Sequence, residues 1–364
     1  MKRRHVAFIC EPAYGHIVPT LGMASELVRR GYHVSYAVSK EYAVGVEKIG
    51  AEAMIYHPLD AKVEVRPKLL QYKGHDRGAF ANEMFKEFVQ REFETALSQL
   101  REIYRNKAPD IIVYDLRNLA GKSLAQSEGV AKIEHSPMAI ENCGKANIIG
   151  GPYDEEVVLI SLPKLFQRGA ESLDHRFRFT GFCSDGRELF FNTWSRKHSG
   201  EDTILVAGTT AGSCPEFFQT AISALKELPC RVVLSLAHTC VSSLGPLPPN
   251  FEINPRCSNF EILRQCRLYI GQGGQGSTLE ALYWGVPVIL IPPNKVNHTF
   301  IGRVVDQGLG FHLEPSEASA ETVQRLALLL LNGGDVRQRV EAVRDSLQLE
   351  NGSRSAADLI EEHV

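Results

Sequence analysis

Twice along this chain a short apolar run gives way to a segment with helical spacing and then to another apolar run. Val6 to Cys10 reads as a strand, and Pro19 to Arg30 as a helix with Leu21, Ala24, Leu27 and Val28 on one side and Gly31 as its stop. His33 to Val38 reads as the next strand, Tyr42 to Ile49 as a short helix ended by Gly50, and Ala53 to Tyr56 as a third strand. Such alternation is satisfied by βαβ units, a parallel sheet with helices over both faces. The pattern runs on through Phe80 to Tyr104, where Met84, Phe88, Phe93, Leu97, Leu100 and Tyr104 recur at helical spacing and read first as core. It continues with a strand at Ile111 to Tyr114, a helix through Gln126 and a strand at Ala131 to Glu134.

From about Arg168 to Asp202 the pattern lapses into short polar pieces. It then restarts: strand Thr203 to Ala207, a small-residue turn GTTAGS, helix Glu216 to Leu228, strand Arg231 to Leu236. Ala320 to Leu331, Val336 to Leu347 and Ser353 to Glu362 read as closing helices. At 364 residues the chain is too long for one ordinary core. The expected division is a Rossmann-like domain over 1–185, a linker over 186–201 and a second Rossmann-like domain over 202–364, with the last helix able to pack back on the first domain. Ligands of such pairs sit at the C-terminal strand ends.

The net charge is −3, from 43 acidic and 40 basic residues, which argues against general nucleic-acid binding. The basic start MKRRHVAFIC imitates a signal peptide, but its apolar run is cut short by Glu11 and Pro12, and a first strand is the better reading. No stretch reaches the length of a transmembrane segment, and the eight cysteines have no paired spacing, so reduced thiols in a cytoplasmic protein are expected.

The segment IGQGGQGSTLEALYWGVPVILIP, Ile270 to Pro292, contains G-x-G-x-x-G at Gly271, Gly273 and Gly276, after an apolar run and before a helix-like stretch from Ser277 to Trp284. A dinucleotide would need an acidic residue about 20 positions on, at the end of the next strand. Here the strand Val286 to Ile291 ends in PPNKV. What remains is a glycine-rich strand-to-helix turn that exposes backbone N–H groups, a site suited to phosphate or diphosphate. Ser277 and Thr278 are candidate caps, and the turn Gly208 to Ser213 could face the same anion. The plainer alternative is that the glycines only permit a tight turn.

GGQGSTLEALYWGVPVILIP resembles the donor-binding signature of the UDP-glycosyltransferase superfamily, of the bacterial macrolide and antibiotic type. GHIVPTLGMASELVRRGYHVSYAV resembles the first βαβ unit of that family, which begins G-H-x-x-P. PDIIVYDLRNLAGKSLAQSEGVAKIEHSP and FEILRQCRLYI match two further stretches, in order along nearly the whole chain. The resemblance implies an α/β fold of the GT-B type, two facing Rossmann-like domains with the acceptor in the first and a nucleotide sugar in the second.

Inverting sugar transfer needs a base for the acceptor proton and stabilisation of the departing diphosphate. His16 is expected in the loop after the first strand, and Asp115 at the end of another strand. On position alone His16 is either a base or a loop or capping histidine; the resemblance implies the base, with Asp115 holding the imidazole. It also implies donor contacts from Gln272, Gly273, Gly274, Gly276, Ser277, Glu280, Thr209, Thr210, Arg256, Asn259 and Asn297, with no metal. The departures concentrate at the donor site. Gly271 and Gln272 stand where the family carries histidine, Arg256 and Asn259 where it carries Trp and Gln, and Val296 and Asn297 where it carries Asp and Gln. The expected activity is metal-independent, inverting transfer from a nucleoside-diphosphate sugar, UDP or dTDP, to a hydroxyl or amine of an apolar small molecule. The co-substrate is the only cofactor-like requirement. The alternative is a catalytically inactive GT-B accessory or binding protein. Oligomeric state is left open, with a homodimer among the options.

Overall fold

A computed structural model describes residues 3–59, 64–65, 77–140, 155–191, 202–209, 215–236, 241–254, 257–294 and 297–364. The strands fall into two wholly parallel sheets. The first holds β1 (His5–Ile9), β2 (His33–Val38), β3 (Glu52–Ile55), β4 (Ile111–Asp115), β5 (Ala131–Ser136), β6 (Val158–Ile160) and β7 (Phe177–Phe179) in the order β3-β2-β1-β4-β5-β6-β7. The second holds β8 (Asp202–Ala207), β9 (Cys230–Ser235), β10 (Phe251–Ile253), β11 (Leu268–Gly271), β12 (Val288–Leu290) and β13 (Gly310–His312) in the order β10-β9-β8-β11-β12-β13. In each the order reverses once, beside β1 and β4 and beside β8 and β11. A crevice opens at the C-terminal strand ends at such a reversal.

β1 shows why the sheet is buried on both faces. Val6 and Phe8 enter a core with helix α1 (Tyr14–Arg29), whereas Ala7 and Ile9 enter a core on the opposite face with Ala96, Leu100 and Tyr104. The latter residues lie on the long helix Arg77–Tyr104. Phe93 and Leu97 are only partly buried against that core, and Met84 and Phe88 lie outside it.

Four strands had no periodic signal: β6, β7, β10 and β13, each three residues long. β7 falls within the stretch expected to be irregular, and it pairs with β6 through Phe177, Arg178 and Phe179. The final helix Gly352–Glu361 packs on α1 and places Ala356, Ala357, Leu359 and Ile360 in the core beneath the first sheet. Gly22 of α1 permits this approach, because a Cβ there would lie 2.2 Å from Ser353 Oγ. The five described cysteines are buried and form no disulfide. Among the described residues no helix is long and apolar enough to cross a membrane.

Candidate active site

His16 lies inside the first turn of α1, not in a loop before it; the helix begins at Tyr14 and carries Pro19 within it. A proline ordinarily signals a helix start because it lacks an N–H, and near the N-terminus that loss leaves few intrahelical bonds unmade. Asp115 is the last residue of β4, next to β1 in the sheet. Reversal of strand order therefore brings the two side chains together, His16 Nδ1 to Asp115 Oδ2 at 2.8 Å, both buried. Asp115 Oδ1 accepts the Arg117 N–H at 2.9 Å. Asn118 caps the next helix by accepting from Gly121 N–H, and its amide donates to the Cys10 carbonyl, which ties the ends of β4 and β1.

Burial works against the Asp115 charge, but the His16 ring with its hydrogen bond, His135 and the Arg117 N–H together hold the carboxyl below its ordinary value. An ionised carboxylate only accepts, so Nδ1 carries a proton, and in a neutral imidazole so bonded Nε2 is the acceptor. That is the tautomer a general base requires. His135, opposite Asp115 on β5, is pushed down to about 4 by burial and bonds Ser161 Oγ through Nε2. Glu11 is pushed up by burial while sensing His16 and Asp115, and Glu92 is raised to about 7 by burial and by Glu11.

At the second reversal, β11 ends at Gly271 and the helix Gln275–Tyr283 begins. Gly273 has φ 74°, in the left-handed region that glycine tolerates, and Gly274 is the N-cap. Ser277 and Thr278 do not cap: both lie within the helix, and the extended Gly274 occupies the cap position without a side-chain bond. Gly276 likewise lies in the helix, exposed. The first amides of this helix have no intrahelical carbonyl partner, as an anion site requires. Thr209, beyond β8, donates its N–H to Gln272 Oε1 at 3.0 Å across the reversal. Asn297 has φ 70° and donates Nδ2 to the Gly273 carbonyl at 3.2 Å. Asn259 begins the short helix Asn259–Leu263 and accepts from Asn254. Thr210, Arg256 and Val296 lie outside the described residues.

Glu280 is buried and paired with a residue the sequence did not single out: Arg187 Nη1 reaches Glu280 Oε1 at 2.7 Å. Burial raises the Glu280 carboxyl, with Arg187 opposing. Arg187 also donates Nε to the Cys183 carbonyl and lies 4.2 Å from the Phe182 ring centroid. Its carbonyl accepts from Tyr14 and Ser258. Residue 187 thus links the start of the His16 helix to the helix of the glycine turn. No motif signals this, because the partners are 93 positions apart. Among the described residues, His298, His312 and Glu314 bring three possible ligand atoms within 4.8 Å of one another, at edge strand β13 and apart from the His16–Asp115 pair.

Comparison with known proteins agrees with this geometry. The family model "Erythromycin biosynthesis protein CIII-like, C-terminal domain" matches residues 219–355. The NDP-glycosyltransferase YjiC of Bacillus licheniformis is 29% identical over 392 residues, covering 99% of this chain and 98% of the relative. The demethyllactenocin mycarosyltransferase of Streptomyces fradiae is 28% identical, covering 98% of this chain and 86% of the relative. The crystal structure of CalG4, the calicheamicin glycosyltransferase, matches with a TM-score of 0.80 at 25% identity, covering 100% of this chain and 98% of that one. Two parallel sheets, each with one reversal of strand order, match the GT-B fold, and the similar proteins place the chain in the class of glycosyltransferases. Within that class the chain is similar, along almost its whole length, to glycosyltransferases of the macrolide and antibiotic type.

Proposed function

We propose that this enzyme transfers a sugar with inversion from a nucleoside-diphosphate sugar, UDP or dTDP, to a hydroxyl or amine of an apolar natural product, with His16 as base. The observation that carries the reading is the buried 2.8 Å bond from His16 Nδ1 to Asp115. His16 Nε2 takes the acceptor proton as the acceptor atom bonds to the anomeric carbon. The bond from that carbon to the diphosphate oxygen breaks in the same step, and the diphosphate leaves with the electron pair. Asp115 stabilises the imidazolium that forms. The leaving charge is met by the amides at the start of helix Gln275–Tyr283, a role that needs no metal. In this reading residues 1–185 take the acceptor, 202–364 the donor, and 186–201 connect them. One relative named as an NDP-glycosyltransferase and another named as a demethyllactenocin mycarosyltransferase support the substrate classes.

Two measurements test it. Thermal-shift titration with UDP, dTDP, GDP and their glucose conjugates, with NAD as control, should raise the melting temperature with one nucleotide class. His16→Ala should lower turnover by about 10²–10⁴-fold while leaving nucleotide affinity unchanged. Equal turnover in the variant removes His16 from the mechanism.

A further inference from the structure

Gln275 is the first residue of the glycine-turn helix, and its side chain leaves that helix for the other half of the molecule. Its Oε1 accepts the N–H of Ala139 at 2.8 Å, in the segment that follows β5 of the first sheet. Its Nε2 donates to Asn297 Oδ1 at 3.0 Å. Asn297 in turn donates Nδ2 to the carbonyl of Gly273, at 3.2 Å. Gln275 is 7% exposed and Ala139 4%, so the Ala139 end of the relay is buried, while Asn297 at the other end is half-buried.

The polarity of the relay is fixed from both ends. Ala139 offers only an N–H there, so Gln275 must turn its oxygen to it. The Gln275 amide nitrogen then demands an acceptor, so Asn297 turns its oxygen inward and its nitrogen to the Gly273 carbonyl. Two otherwise flippable amides are left with one orientation. The backbone of Asn297 reinforces the point. It is the only described residue other than glycine at positive φ, it stands at the N-cap of helix His298–Asp306, and its side chain makes no cap bond. The usual capping use of asparagine is given up for the relay. On the far side Ala139 is held in register by Gln167, which accepts from Ile140 N–H and donates to the Ile140 carbonyl.

We propose that Gln275 is a positioning residue: by the bond from Ala139 it sets the orientation of the Asn297 amide, and through it the recognition of the donor sugar. This rests on the reading of Asn297 as a contact to the sugar. Each of the two amides keeps one further N–H beyond the relay for a sugar hydroxyl. The relay also ties that orientation to the placement of the first half against the second.

Calorimetric titration with UDP, dTDP, UDP-glucose and dTDP-glucose tests the proposal without needing the acceptor. Gln275→Met keeps the side-chain length and removes both bonds. It should weaken the nucleotide sugar about tenfold and leave the bare nucleotide within about twofold. Asn297→Ala should do the same, and the double variant no more than either alone. General damage to the loop would weaken nucleotide and nucleotide sugar equally in Gln275→Met, which overturns the proposal. So would a sugar effect in Asn297→Ala with none in Gln275→Met, or additive losses in the double variant. An Asn297→Ala variant that binds nucleotide sugar like the wild type overturns instead the reading of Asn297 on which the proposal stands, as does a wild-type protein that binds none of the four probes. A melting curve of each variant verifies folding, and Gln275→Glu supplies a second variant that keeps the Ala139 bond while misdirecting Asn297. It should reproduce the sugar-specific loss.

Discussion

Replacing Arg187 by Met removes the partner of a carboxylate that has almost no access to water. Both side chains of the Arg187–Glu280 pair are 4% exposed. Removing one member of a buried pair typically costs about 3–5 kcal/mol, because the other charge is stranded. At about 2–4 °C per kcal/mol this is a fall on the order of 10 °C in melting temperature. Met keeps contact with the Phe182 ring through its sulfur, so packing loss is small. The penalty has a pH signature. Burial already raises the Glu280 carboxyl, and loss of Arg187 raises it further. A carboxyl whose folded pKa lies above its unfolded value binds protons more tightly when folded, so stability falls as pH rises from about 4.3 toward the folded pKa. The deficit of Arg187→Met should therefore be smaller at pH 5 than at pH 8. Arg187→Met combined with Glu280→Leu should melt higher than Arg187→Met alone at pH 8. Melting curves of the three variants at both pH values decide it. A deficit independent of pH, with additive losses in the double variant, would refute the claim that a stranded charge is responsible.

Asp115→Asn should cut turnover by about 10²–10⁴-fold, and combining it with His16→Ala should cost little more, because the two act as one unit; additive losses in steady-state kinetics would separate their roles. Gly273→Ala should destabilise by about 2 kcal/mol, from positive φ and from a Cβ placed 2.5 Å from Ile301 Cδ1. Gly276→Ala meets no atom within 4 Å and should stabilise by up to about 1 kcal/mol; chemical denaturation that reversed this order would contradict the turn described for this loop. His135, lowered from 6.5 to about 4, binds its proton less tightly when folded, so it contributes stability at neutral pH that is lost as pH falls from 6.5 to about 4, a loss of about 3 kcal/mol. His135→Gln should flatten the stability profile over that window, and an unchanged slope would assign the acid loss to other groups.

The sequence by itself determined the parts of this protein whose signal is local. Each long helix and each strand of at least four residues carries its own period, and Ala320–Leu331 falls within the limits that period implies. The glycine turn was legible because positive φ at Gly273 leaves few residue choices. His16 and Asp115 were each legible beside their strands, with the family resemblance supplying the roles. Only the tertiary structure decided the rest. A strand of three residues, such as β7, exists because a neighbour supplies its hydrogen bonds, and three residues are too few to show a period. That Pro19 lies within a helix, and His16 with it, depends on where the first turn packs. Burial and orientation of polar side chains are likewise set by partners distant in the chain. Glu280, expected from sequence as a donor contact, is bound to Arg187, and Gln275, which no motif singles out, joins the two halves. Such contacts depend on the relative placement of the two sheets, which no local pattern encodes.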